Sequence, residues 1–406
     1  MGTAKRPTSA AREFQVIDSS VPVVVIFRGG YADVAIARTL GRLGVSMYLV
    51  AQEGLPTPAW SSRYWVQRTQ WDFYRPENES VEHLIDLGRT IQRAHGRRAI
   101  LLTLADWVAI FIERNRARLR DEFLFAQSEQ PVLHRLANKW GMHVLAREHH
   151  IPTPVTGCPQ SLAEAGVFLD AVGLPVVMKA ADPYVPDRPL TTMIHSRQEL
   201  IHKLGPREAG EQPLNVVLQE YIPGDADSVW MCNGYFGADP DRAVIFTGKK
   251  LRQGSATGIA FLAICLPNDV VAAQTRRFME GVGYRGCVGI GYRFDRRDGL
   301  FKVLDVNVRV SAVFRLFAGT NDMDVVRACY LQLTGQESPA TALQPGRKWL
   351  LEDDVVDAVG AIRRHQLSLA EWVRSVRGVK ELNWLAADDP LPGVMWFRDR
   401  LRGLTH

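Results

Sequence analysis

The sequence predicts a mixed α/β and α+β protein: an open α/β layer first, an α+β body after it, and a C-terminal extension. Three observations carry this. Residues 20–126 alternate short apolar runs with helical patterns, the order of parallel βαβ units. From about residue 130 strands follow one another with few helices between them, an antiparallel texture. At 406 residues the chain is too long for one ordinary core.

The run PVVVIF at 22–27 reads as a strand ending in the turn Arg28-Gly29-Gly30. Val34, Ala37, Leu40 and Leu43 then share one helical face, Gly44 stops the helix, and a second strand follows at 47–50. A helix near 79–95, a strand at 99–103, a helix at 105–118 and a strand at 122–125 continue the pattern. A helix at 132–149 ends at Ile151-Pro152-Thr153-Pro154, which is extended because residues before proline avoid the α region. A helix at 160–172 leads into a buried strand at 174–179 that ends in a lysine. A polar, proline-rich loop (182–190), a strand at 191–194, a helix from 197 and a strand at 215–221 follow. Strands at 228–233 and 243–248 lead to Lys249-Lys250, and a strand at 258–265 and a helix at 268–282 come next. The hairpin 287–295/300–307 turns through Arg296-Arg297-Asp298-Gly299, before a helix at 324–333. The divisions expected from this are a tail at 1–19, an open α/β unit at 20–126, two α+β units at 127–215 and 216–340, and an extension at 341–406. The extension is rich in Trp and Asp and reads as a packed lobe without readable chemistry.

A hydrophobic fraction of 46% with 23% charged residues is that of a globular protein. No apolar run reaches the roughly 18 residues of a spanning helix, so no membrane partner is expected. The N-terminus lacks an apolar signal core, and the expected location is cytoplasmic. Five cysteines, without CxxC spacing, read as reduced core residues. The net charge of +5 is spread out, so no nucleic-acid stripe is expected, while a site for anionic ligands such as nucleotide phosphates is compatible with it. The turn FRGGYAD is not GxGxxG, Gly248-Lys249 is followed by Lys250 instead of Ser or Thr, and 254–258 lacks the GxSxG spacing. The Walker and serine-hydrolase motifs are therefore absent, and a nicotinamide oxidoreductase using the N-terminal sheet stays only as a distant rival.

Four elements carry chemistry. Lys139 lies on the helix before the IPTP turn, and Lys179 is the polar end of an apolar strand. Residues 217–224 (VLQEYIPG) form a strand ending in a turn, with Asp225 and Asp227 beyond. In 302–309 (KVLDVNVR), Asp305, Asn307 and Arg309 alternate and so share one face, with Val303 and Phe301 expected on the same side. In this order the elements resemble the ATP-grasp superfamily, from roughly residue 20 to 335. The segments TGKKLRQ, YRGCVGIGYRFDRRDG, VSAVFRLFAGTNDMD, YLQLTGQ and GRKWLLEDD are more narrowly similar to a branch of predicted carboxylate–amine ligases likened to D-aspartate ligases.

The resemblance implies an ATP-grasp fold that clamps ATP between two α+β subdomains behind an open α/β domain, with ATP and magnesium as cofactors. It implies that Lys139 and Lys179 serve the nucleotide, that Gln219, Glu220, Tyr221 and Ile222 hold adenine, and that an acid beyond them, Asp227, takes the ribose. Asp305 and Asn307 would bind magnesium, and Arg309 would face the substrate. Phosphate charge also needs further cations, for which Lys249 or Lys250 and Arg252 are the candidates. Arg309, Arg252 and Lys250 are thus the expected catalytic residues, and Arg309 suits a carboxylate or acyl phosphate because a guanidinium makes two parallel bonds. Arg315 is expected in a structural pair. The activity implied is ATP-dependent joining of a small-molecule carboxylate to an amine through an acyl phosphate, with a homodimer as a possible assembly. Two departures stand against this. The strand before Asp305 carries Gly289 and Gly291 where the family supplies a second carboxylate, expected at Gly289, and Val308 replaces the branch's usual proline. The loop 182–190, with Arg188 as its only cation, is not a Gly-rich phosphate flap. The alternative is a catalytically impaired, nucleotide-binding sensor or partner module.

Overall fold

A computed structural model describes residues 16–27, 31–184, 191–208, 214–254 and 259–403. Most of the N-terminal tail, the Arg28-Gly29-Gly30 turn, Arg188 with most of its loop, and residues 255–258 lie outside the described residues. The strands form three sheets.

The first sheet is parallel, in the order β3-β2-β1-β4-β5. Its strands are β1 (Val23–Phe27), β2 (Met47–Gln52), β3 (Trp65–Trp71), β4 (Ala99–Thr103) and β5 (Phe123–Leu124), connected through helices α1 (Asp33–Gly41), α2 (Glu77–His95), α3 (Asp106–Arg114) and α4 (Arg116–Leu119). Val23, Val25 and Phe27 enter one core cluster and Val24 and Ile26 another. Both faces of β1 are thus covered, which is why it reads as an unbroken apolar run. The edge strand β3 was not expected, because its middle residues are polar and exposed.

The single helix expected at 132–149 is broken into α5 (Leu133–Ala137) and α6 (Lys139–Glu148). Asn138 between them is extended, and its side chain accepts a hydrogen bond from Gly141 N at 2.8 Å, an N-cap that restarts the helix. The second sheet is antiparallel, in the order β6-β9-β7-β8, from β6 (Thr156–Gly157), β7 (Val176–Ala180), β8 (Thr192–Ile194) and β9 (Val216–Glu220). Helices α7 (Leu162–Val172) and α8 (Arg197–Glu208) supply Ala165, Leu169, Leu200 and Leu204 to its core.

The third sheet has the order β14-β13-β10-β11-β12-β15-β16. It contains β10 (Val229–Phe236), β11 (Val244–Gln253), β12 (Ala260–Cys265), β13 (Gly286–Asp295), β14 (Leu300–Asn307), β15 (Lys348–Leu350) and β16 (Val379–Leu382). Helix α9 (Asp269–Gly281) covers one face, packing Val271, Phe278 and Met279 with Val288, Ile290 and Tyr292. The other face carries α10 (Val325–Leu333) and packs toward residues of the first sheet. Lys249-Lys250 lies inside β11, not after it. The extension continues this sheet through β15 and β16, with α11 (Asp353–Arg363), α12 (Leu369–Val376) and α13 (Leu391–Gly403) around them. Among the described residues no helix is long and apolar enough to cross a membrane.

Candidate active site

Six of the expected residues converge between the second and third sheets. Lys139 opens α6, and its backbone N–H donates to Ala181 O at 2.8 Å, binding the start of the helix to the end of β7. Its ammonium pairs with Asp305 Oδ1. Asn307 Nδ2 donates to Asp305 Oδ2 at 3.0 Å and to Gly289 O at 3.2 Å, and Asn307 Oδ1 accepts from Arg309 Nη2 at 2.9 Å. Lys179, on β7 opposite Val217, donates to Gln219 Oε1 at 2.8 Å, and Gln219 Nε2 holds Thr156 Oγ1 at 3.1 Å.

Electrostatics follow from burial and charge. Burial lowers Lys179 to about 8, Lys139 adds to the effect and Asp305 opposes it. Burial alone would raise Asp305, but the charge and hydrogen bond of Lys139, with Lys179 behind, hold it well below the usual carboxylate range. Lys250 is also lowered by burial and feels Asp305, so it belongs to the same face.

The sequence reading missed Asp106. It begins α3, accepts Val308 N at 2.7 Å through Oδ1, and has Oδ2 3.6 Å from Arg309 Nε. Burial raises this acid and Arg309 opposes the shift. The first sheet thereby fixes the segment that presents Arg309. Its only sequence signal, an acid in the first turn of a helix, is common to many caps. Lys302 was passed over too. It is buried and meets Asp295 at 2.8 Å, Asp298 at 2.9 Å and Glu220 at 3.3 Å.

No protein-family profile matches the chain. A D-aspartate ligase of Enterococcus faecium (strain Aus0004) is 21% identical over 241 residues, covering 56% of this chain and 57% of the relative. The match thus spans little over half of the relative's length. An N5-carboxyaminoimidazole synthetase from Staphylococcus aureus, solved with ADP, superimposes with a TM-score of 0.62 at 12% identity, covering 86% of this chain and 88% of that one. An L-amino acid ligase from Bacillus licheniformis does so with a TM-score of 0.58 at 13% identity, covering 81% and 79%. The chain has the ATP-grasp fold.

Three expectations about the ATP-grasp cleft are corrected by the backbone. Gly291 pairs with Asp305 but Tyr292 pairs with Val303, so Leu304 is an extra residue and a bulge separates the two sites. Val303 and Phe301 therefore turn to the helix-covered core instead of sharing the face of Asp305. Lys250 pairs with Ala263 and Arg252 with Leu262, neighbours on β12, so a second bulge at Leu251 sends Arg252 to the opposite face. There both Arg252 Nε and Nη2 reach the Asp354 carboxylate at 2.7 Å, and Nη1 reaches Ser375. Arg252 is thus held in a structural tie and not at the cleft. Lys249 also leaves the cleft, with its ammonium 4.7 Å from the centre of the Trp230 ring, its cross-strand neighbour.

Along β9 and the turn after it, Glu220 accepts from Val155 N at 3.0 Å, Lys302 and Arg297 Nη2 at 3.0 Å. Tyr221 faces the Arg293 guanidinium at 5.7 Å, Ile222 is buried, and Asp227 pairs with Arg296 at 3.7 Å on the surface. Arg315 is buried in structural pairs with Asp324 at 2.6 Å and Glu381 at 2.9 Å.

The residues present suit magnesium. Asp305 is ionised beside the amide of Asn307, and a lysine ammonium already lies against it, so the position accepts a cation. Among the described residues no group of three or more His, Cys, Asp or Glu is arranged for a metal. A magnesium ion here would take its other ligands from phosphates and water, its usual habit in nucleotide sites.

Proposed function

We propose that the protein is an ATP-dependent carboxylate–amine ligase. The observation that carries this reading is the chain Lys139–Asp305–Asn307–Arg309, held in the cleft and backed by Asp106. Lys139 and Lys179 hold the nucleotide phosphates, while Gln219, Glu220, Tyr221 and Ile222 line the adenine and Asp227 takes the ribose. Asp305 and Asn307 would hold magnesium, which would supply neutralisation of the phosphate charge. Lys250 and Arg309 then attract the substrate carboxylate and steady it against the γ-phosphate. A carboxylate oxygen attacks the γ-phosphorus and ADP leaves. Arg309 keeps the acyl phosphate in place through two parallel bonds. A neutral amine attacks the acyl carbon, phosphate leaves with the bonding pair, and the surplus proton passes to phosphate or water. The named relatives, a D-aspartate ligase and an L-amino acid ligase, support this direction of chemistry.

A nucleotide-binding protein without ligase turnover is the second reading, favoured by Gly289 and Gly291 where a second metal carboxylate would stand. ADP release from Mg-ATP, with pooled acids and pooled amines, separates the two. Release that needs both pools, and that Asp305→Ala abolishes, is expected of the ligase. Nucleotide binding without release under any pool would favour the sensor.

A further inference from the structure

A pocket of about 820 Å³ lies where the first sheet, the third sheet and the extension meet. Tyr31, Phe261, Val356, Trp384 and Trp396 make its apolar walls, and Arg400 stands among its charged residues. Its size suits a ligand of many heavy atoms. The walls are fixed in place. Asn383 Nδ2 holds Tyr31 O at 2.8 Å, Trp396 Nε1 donates to Asp353 Oδ2 at 3.2 Å, and Arg400 pairs with that same Asp353. Trp384 is only 4% exposed and forms a fixed wall of the pocket.

The pocket is joined to the cleft by the register of the third sheet. Lys250, Ala263 and Trp349 are successive cross-strand partners and share one face. Trp349 stacks on Tyr31 with ring centroids 6.2 Å apart. Two strand spacings put Trp349 about 10 Å from the backbone of Lys250. The Tyr31 phenol, raised by burial, feels the charge of Arg309 as well. A molecule with its carboxylate or amine at Lys250 and Arg309 therefore has an aromatic chamber within reach.

We propose that this pocket receives the apolar part, an aryl or branched alkyl group, of one of the two substrates. The inference rests on the ligase reading and narrows it: the preferred substrate is bulky and apolar at one end, unlike the small acid in the name of the D-aspartate relative. Burying such a group favours binding by about ten- to a hundred-fold.

The test is calorimetry on the full chain carrying a non-hydrolysable ATP analogue and magnesium. One arm compares 3-phenylpropionate with succinate, and the other compares phenethylamine with ethanolamine. An aryl probe at least ten-fold tighter in one arm is expected, and that arm identifies which substrate uses the pocket. Val356→Arg, on an exposed position of α11, should abolish the preference, and Trp396→Ala should weaken it. Retained nucleotide affinity shows that each variant is folded. Equal affinities in both arms, or a preference that survives Val356→Arg, would overturn the proposal. If the preference behaves as expected but no acid–amine pair releases ADP, the ligase reading fails and the pocket stands. If small polar substrates release ADP at a rate Val356→Arg leaves unchanged, the pocket fails and the ligase stands.

Discussion

Lys179 shows how burial sets the working range of a charged group. Its side chain leaves the middle of the second sheet, touches Gln219, and carries a pKa of about 8 in the free protein. A triphosphate beside it restores a high pKa, so nucleotide binds the protonated form. Below pH 8 the ammonium is already charged and binding needs no proton. Above pH 8 the free protein has lost it, and each binding event must take one up. Nucleotide affinity should thus fall as pH rises from 8, by up to about ten-fold per unit. Calorimetry between pH 7 and 9.5, in buffers of different ionisation enthalpy, should find proton uptake approaching one per nucleotide at the upper end. Lys179→Ala should bind weakly and without that dependence. An affinity flat across the range would remove Lys179 from the phosphate site. Single residues were legible where the local pattern isolates them. Lys179 in an apolar strand and the alternation of Asp305 and Asn307 are such cases. Asp106 and Lys302 were not, since Val308 lies 202 residues from the first and Glu220 lies 82 from the second.

The strands β11 and β14 each carry one extra residue, and each bulge reverses the facing of the side chains on its far side. Period-two reading is valid only between bulges, which explains both the lost Arg252 and the apolar neighbours wrongly assigned to Asp305. On β13 the two glycines are not equivalent. A Cβ at Gly289 would meet Ser311 Cβ at 3.0 Å and Oγ at 3.2 Å, whereas one at Gly291 meets only Asp305 Cβ, at 3.8 Å. Gly291 is thus the position with room for the missing carboxylate, although the family pattern places it at Gly289. Gly291→Asp should tighten magnesium binding to the nucleotide complex, read as a lower magnesium requirement for nucleotide affinity. Gly289→Asp should instead lower stability by about 1–3 kcal/mol through overpacking, read from thermal unfolding. The reverse ranking would show that the cleft relaxes around Gly289.

Across the molecule, the extension is bound to the first sheet and to the body by buried charges. Arg38 meets Asp389 at 2.9 Å, and Arg315 joins Asp324, Glu381 and Thr39 in one network. Arg347 enters the network through Glu381. Asp324 is fully buried, so loss of Arg315 leaves its charge away from solvent with only the more distant Arg327, at 3.9 Å, as counter-ion. Arg315→Met should cost about 3–5 kcal/mol in urea unfolding, while an effect under about 1 kcal/mol would make the network dispensable. The extension read as a separate lobe because its segments are short, polar and amphipathic. Their pairing with β12 is a contact between distant parts of the chain, with no local trace.

The parallel first sheet, the antiparallel second sheet and the antiparallel run β10–β14 of the third were readable from runs and spacing, because those signals are local and survive in one dimension. The same local patterns singled out Lys139, Lys179, Asp305 and Asn307 as candidates. Tertiary structure alone assigned Arg252 to Asp354, Lys249 to Trp230, Asp106 to Arg309 and the aromatic pocket to the neighbourhood of Lys250. Each of these depends on a bulge or on the meeting of segments far apart in the chain. A one-residue bulge reverses a side chain without changing any composition or period that the sequence displays.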